Sequence, residues 1–187
     1  MSLTLLHSRA QLGIEAPDVS VEVHISNGLP NFTVVGLPET AVREARDRVR
    51  SAILNTGFEF PDRRITVNLA PANLPKEGGR YDLPIALGIL AASRQVDISR
   101  LEGFDCYGEL ALSGDCRNIE GLLPALIASK QARRAVIIPG QNQQEASLVS
   151  NLQIHLASSL GQVCTSLNGG EPLPGAEARP TSKATVY

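Results

Sequence analysis

The chain has 187 residues, 43% hydrophobic and 19% charged, with a formal net charge of −2. That is enough for one domain with its own core, and too close to neutral for a strongly basic nucleic-acid module, although a local basic patch is compatible with it. No apolar run reaches the roughly 18 residues of a membrane-spanning helix, and the opening MSLTLLHSRAQLG lacks the basic start, long apolar stretch and cleavage site of a secretory signal.

Residues 19–26, VSVEVHIS, alternate apolar and polar, the mark of a half-buried strand. GLP turns the chain and residues 32–37, FTVVGL, form a second strand, so the two are expected to pair as a hairpin. Residues 38–57 are the clearest helix: Val42, Ala45, Val49, Ala52 and Ile53 make one apolar stripe, and Gly57 suits the C-terminal cap. Residues 63–71 alternate through Ile65, Val67 and Leu69 as a strand. The loop NLPKEGGRYD follows, then a helix over 82–93 that is apolar nearly all round and is expected to be buried.

Residues 106–121 read as a hairpin turning near Ser113-Gly114-Asp115. Residues 122–132 form a helix with Pro124 tolerable in its first turn, and 134–139 a short buried strand. A helix over 142–151, a strand over 152–157 and a helix over 159–169 complete the periodic part. The fold class expected is α+β, a mixed sheet with helices packed on it, filling a domain of residues 1–168. Residues 169–187 carry Gly, Pro, Ser and Thr with almost no periodic apolar residue, and read as a flexible linker toward a further domain of a longer protein.

Three cysteines (Cys106, Cys116, Cys164), odd in number and without a C-x-x-C pair, point to a reduced, cytoplasmic chain. His7, His24 and His155 are scattered and nothing has metal-ligand spacing, so no metal is expected. The loop with Lys76, Gly78 and Gly79 is not a P-loop, because that motif needs G-x-x-x-x-G-K-[ST] and no Gly in this chain is followed by Lys. The glycines either hold an anion weakly at the next helix or only permit a tight entry into it.

VNLAPANLPKEGGRYDLPIALGILAAS, taken with YGELALSGDCRNIEGLLPALIASKQARRAVIIP, resembles the proteolytic domain of Lon in order and spacing over roughly residues 65–139. The resemblance implies a fold of the kind shared by ribosomal protein S5 domain 2 and Lon. It also places Arg80 or its neighbour where the nucleophilic Ser stands and Leu123 where the general-base Lys stands. Residues 74–92 hold no Ser, Thr or Cys, and a Ser–Lys dyad needs both partners within hydrogen-bond reach. No catalytic residue is therefore expected, and the chain is not expected to be an enzyme. A displaced pair, Ser113 with Lys130, is the alternative, and its spacing fits no dyad.

A more extensive resemblance runs through VEVHISNGLPNFTVVGLPETAVREARDRVRSAI, ITVNLAPANLPKEGGRYDLPIALGILAAS and GELALSG. These are similar to the N-terminal domain of the ComM/YifB group in the magnesium chelatase subunit I-like family of bacterial AAA+ proteins. Members form hexameric rings that bind DNA and drive branch migration in natural transformation. The resemblance implies an assembly and DNA-contact role for this domain, with ATP and Mg²⁺ belonging to an ATPase domain and no cofactor here. The partners implied are further copies of the chain and single-stranded or branched DNA, and no membrane. A protein-binding adaptor domain is the alternative within that family.

Arg43, Arg46 and Arg50 fall at i, i+3 and i+7 of the first helix, Arg63 and Arg64 precede the middle strand, and Lys76 and Arg80 lie in the loop. They are candidates for contact with phosphates or with a neighbouring subunit. Glu39–Arg43, Glu44–Arg48 and Asp47–Arg50 have the spacing of pairs that simply solvate a helix face, and residues 36–80 hold eight basic against six acidic residues. Glu77, Arg80 and Asp82 are candidates for a charged network fixing the loop, and the other reading of Asp82 is a cap for the buried helix.

Overall fold

The computed structural model describes residues 2–175. Seven strands form one mixed sheet: β1 (Ser2–Arg9), β2 (Asp18–Ser26), β3 (Asn31–Val35), β4 (Arg64–Ala70), β5 (Phe104–Cys106), β8 (Ala135–Pro139) and β9 (Ile154–Ala157), in the order β3-β4-β2-β1-β5-β8-β9. The short strands β6 (Glu109–Leu110) and β7 (Cys116–Arg117) pair antiparallel as the expected hairpin. The helices are α1 (Glu39–Asn55), α2 (Asp82–Ala92), α3 (Leu123–Gln131), α4 (Gln143–Ala146) and α5 (Leu160–Leu167). The chain is thus α+β, with helices on both faces of the sheet. One core lies under α1, α2 and α5, and a smaller one lies under α3 and α4 against β8 and β9.

The hairpin expected of residues 19–26 and 32–37 does not form. β4 lies between β2 and β3, antiparallel to the first (Val23↔Val67) and parallel to the second (Val34↔Val67). A short connection permits a hairpin without imposing one. Here α1 carries the chain back, β3-α1-β4 becomes a parallel crossover unit, and the fully buried Ile65, Val67 and Leu69 occupy a strand paired on both sides.

β1 gave no strand signal in the sequence, yet it is central, antiparallel to β2 and parallel to β5 through His7↔Asp105. Its leucines fall on both faces: Leu6 is buried while Leu3 and Leu5 are 69% and 52% exposed. The inward Thr4 hydroxyl donates to the Gly88 carbonyl at 2.9 Å, so alternation of hydrophobicity is lost although alternation of side-chain direction is kept.

α2 is buried around its whole circumference, as its composition requires. It approaches β2 so closely that a Cβ on Gly88 would lie 2.5 Å from Val23 Cγ2. Gly36, at the exit of β3, has φ +99°, and a Cβ there would lie 2.3 Å from the Leu69 carbonyl oxygen. Gly36→Ala combines a disfavoured dihedral with a clash against backbone that cannot turn away, and is expected to cost about 2 kcal/mol. Urea unfolding measures it, and a loss under about 0.5 kcal/mol would contradict this account.

The linker expected from residue 169 does not begin there. Leu156 N–H donates to the Pro174 carbonyl at 2.8 Å, His155 bridges Gly175, and Leu173 packs against the larger core. The remainder of that stretch, 176–187, lies outside the described residues.

Candidate functional site

Lys76 does not offer its charge to a partner, contrary to expectation. It is 2% exposed, and its ammonium donates to the carbonyls of Gly36 (3.1 Å), Pro71 (2.5 Å) and Leu74 (3.0 Å). All three donors are used, and burial holds its pKa below the usual lysine value. A lysine that makes no ion pair among the described residues therefore ties the loop to the end of β3.

Arg80 is likewise internal. It donates to the carbonyls of Arg9 (3.2 Å) and Glu120 (3.4 Å) and is 6% exposed. The loop where the Lon resemblance would put the nucleophile lines a cleft of about 400 Å³ together with residues 118–120, just ahead of the base position Leu123, which is not on its walls. Its lining includes Arg80, Asn118, Glu77 and Glu120, with Glu109 of β6, and, among the described residues, no Ser, Thr, Cys or Lys. Leu123 lies at the start of α3, where its N–H donates to Glu145 at 2.7 Å. Ser113 Oγ accepts from the Asp115 N–H in the hairpin turn, while Lys130 sits on α3, and the two share no hydrogen bond.

Asp82 belongs to a network and does not cap α2, because Tyr81 holds the cap position and no side chain bonds there. Arg48 of α1 donates to Asp82 through Nε (2.6 Å) and Nη2 (3.2 Å), and the Leu110 N–H of β6 donates to it at 3.1 Å. One carboxylate thus joins α1, α2 and the hairpin. Burial pushes Asp82 up to about 6, against the pull of Arg48 and the Leu110 N–H. Burial lowers Arg48, but the bond to Asp82 and its charge outweigh that and hold the guanidinium above its usual value. The other members are Glu44 (3.7 Å) and Glu109 (3.9 Å), while Glu77 is exposed and makes no ion pair among the described residues.

A second buried network escaped the sequence reading. Asp105 is fully buried on β5 and accepts from Arg9 Nε (2.9 Å), Arg134 Nε (2.7 Å) and Ser129 Oγ (2.6 Å). Tyr107 Oη and Ser129 Oγ are 3.0 Å apart, and Arg9 also donates to the Ala16 carbonyl. Burial raises the Tyr107 phenol. The available signal was an aspartate inside the apolar run FDCY, together with Ser129 inside an apolar helix stripe.

The α1 arginines are in three different situations. Arg43 is exposed and makes no bond among the described residues. Arg46 donates to the Phe32 carbonyl at 3.0 Å, and the Arg50 guanidinium carbon lies 5.2 Å from the Phe60 ring centre. Arg63 donates to Asn27 and Arg64 is exposed at the start of β4. Of the three helix pairs read from spacing, only Glu44–Arg48 lies within 4.0 Å among the described residues. The structure therefore brings Arg50 and Arg63 to one cavity beside β3, ties Arg46 to the Phe32 carbonyl of the same strand, and puts Lys76 and Arg80 inside the domain.

The three cysteines are buried with thiols pushed up to about 12, unreactive at neutral pH. Among the described residues no group of three or more His, Cys, Asp or Glu could hold a metal ion, and no helix is long and apolar enough to cross a membrane.

The family model described as subunit ChlI of Mg-chelatase matches residues 21–142. Competence protein ComM of Haemophilus influenzae is 56% identical over 93% of this chain and 34% of its own length. Protein YifB of Salmonella typhimurium is 52% identical over 100% of this chain and 38% of its own length. Lon protease 2 of Bacillus subtilis is 30% identical over 52% of this chain and 17% of its own length. The chain spans about a third of the length of the curated ComM and YifB relatives it matches.

Proposed function

The chain belongs to the family of subunit ChlI of Mg-chelatase, and from that premise we propose that it is a non-catalytic assembly and DNA-contact domain of a ComM-like, ring-forming AAA+ ATPase. The identity to ComM over nearly the whole chain supports the parentage. The observation that supports the non-catalytic reading is the cleft at residues 77–80: the loop that would carry a Lon-like nucleophile presents a pinned arginine beside three glutamates, without a Ser, Thr, Cys or Lys, and the base position holds Leu123.

ATP and Mg²⁺ are no part of this domain's chemistry, since its residues do not fit a phosphate cradle. No Gly precedes a Lys, and the lysine of the glycine loop is saturated by three carbonyls. Nucleotide hydrolysis, hexamer formation and branch migration belong to the assembled parent, which we place in the cytoplasm. The domain's own share is to present Arg43, Arg50 and Arg64 to phosphates.

Fluorescence anisotropy of labelled single-stranded and branched DNA over a salt series tests the DNA half. Salt-sensitive binding is expected, and changing Arg43 and Arg64 to Glu should weaken it at least about tenfold at low salt. Both side chains are exposed and bond nothing among the described residues, so the fold should be unchanged. Binding that ignores both changes would move these arginines to a subunit interface.

A further inference from the structure

At the edge of the sheet, beside β3, a cavity of about 140 Å³ is lined by Phe32, Phe60, Pro61, Asp62, Arg50 and Arg63, among others. The Phe32 and Phe60 rings are 5.5 Å apart and tilted by 53°, and Arg50 lies over Phe60. Both rings are only half-buried. The chain has four phenylalanines and no tryptophan, so half of its phenylalanines stand at this one opening.

An arginine over a ring in a closed site would be explained by packing alone. Here Arg50 is exposed, and the ring beneath it shares its cavity with a second guanidinium, Arg63, which Asn27 holds in place. Arg46 donates to the carbonyl of Phe32, one of the two ring residues of the cavity. Asp62 is the single carboxylate on the cavity wall, facing two cations there.

Resting on the DNA-contact reading above, we infer that this cavity takes an unpaired base of a single strand on the Phe60 face that the exposed Arg50 now covers, with Arg50 swung aside to hold the flanking phosphate together with Arg63. Aromatic and guanidinium faces accept any base, because every base has a π-face. A paired base in a duplex has no free face to offer, so the site selects unpaired strand. The ligand is thus a single-stranded nucleic acid held without sequence preference, as at a branch where strands separate.

The test measures anisotropy of the 187-residue chain with a labelled oligothymidylate and with an abasic strand of equal length. The wild-type chain is expected to bind the oligothymidylate at least about fivefold more tightly. Phe60→Leu, which keeps the apolar volume, should abolish that ratio while leaving abasic binding unchanged. Arg50→Gln should weaken both strands and lower the slope of log K against log salt by about one. A wild-type ratio of one, or a ratio that survives Phe60→Leu, overturns the inference. If salt-sensitive binding is then still lost on changing Arg43 and Arg64 to Glu, the broader DNA reading stands. If the wild-type chain binds neither strand, both fall. A melting curve for each variant separates loss of binding from loss of fold.

Discussion

Asp105→Ala is expected to lower the unfolding free energy by at least about 3–5 kcal/mol, a large part of the 5–15 kcal/mol typical of a whole domain. Two guanidiniums and a hydroxyl converge on its carboxylate, at 2.9, 2.7 and 2.6 Å. Arg9 is only 9% exposed, so water can replace little of what Asp105 supplies. Truncation leaves its charge buried without an anion, beside that of Arg134. The damage should spread, because the Arg9 carbonyl is where Arg80 anchors the glycine loop. Asp105→Asn keeps one acceptor oxygen but turns an amide donor toward the guanidiniums, and should recover less than half of the loss. Urea unfolding followed by circular dichroism measures both. A loss below about 1 kcal/mol for the Ala variant would mean that Arg9 finds another partner.

Asp82→Ala is expected to cost about 2–4 kcal/mol. It strands the buried Leu110 N–H, worth about 1–3 kcal/mol, and removes the main anion of Arg48. Arg48 keeps weaker partners in Glu44 and Glu109, which limits the loss. Asp82→Asn should cost under about 1.5 kcal/mol, because burial already favours a neutral group at this site and the amide oxygen still accepts from Leu110. The pH dependence has a definite sign. The folded-state value of about 6 lies above the ordinary carboxylate value of about 3.9 in an unfolded chain. Between those values the folded protein holds the proton and the unfolded chain does not. Lowering the pH from about 6 to about 4 should therefore stabilise the wild-type protein relative to Asp82→Asn, by at most about 1.4 kcal/mol per pH unit, and raising it back should remove the gain. A slope of opposite sign would show that the bond to Arg48 outweighs burial.

The sequence alone determined the elements whose signal is local. The stripe Val42, Ala45, Val49, Ala52 and Ile53 specified α1, three of whose apolar members, Val49, Ala52 and Ile53, are fully buried. The unbroken apolar run from Leu83 to Leu90 specified a helix enclosed on all sides. The alternation in β2 and β4 specified two strands, since side-chain direction follows a fixed period whatever the neighbours are. The family resemblance was likewise legible, because runs such as ITVNLAPANLPKEGG stand in the sequence itself.

Pairing and partnership were decided by the tertiary structure. Whether β2 meets β3 or β4 depends on which arrangement satisfies the backbone of a fully buried strand, and no short window contains that comparison. β1 was hidden because its leucines point to both faces. The charged residues were the hardest to read: Lys76, Arg80, Arg48 and Arg43 look alike in sequence. A cation's role depends on what lies within about 3–4 Å of it, and for Lys76, Arg80 and Arg48 at least one partner lies 40, 71 and 34 residues away, respectively, beside the local acceptors Pro71 and Leu74 of Lys76. Folding spent Lys76 on three carbonyls, Arg80 on two and Arg48 on one buried aspartate, and left Arg43 and Arg64 in water. Electrostatic strength falls with distance and with solvent access, so only the folded chain could separate the cations that hold the domain together from those able to meet a phosphate.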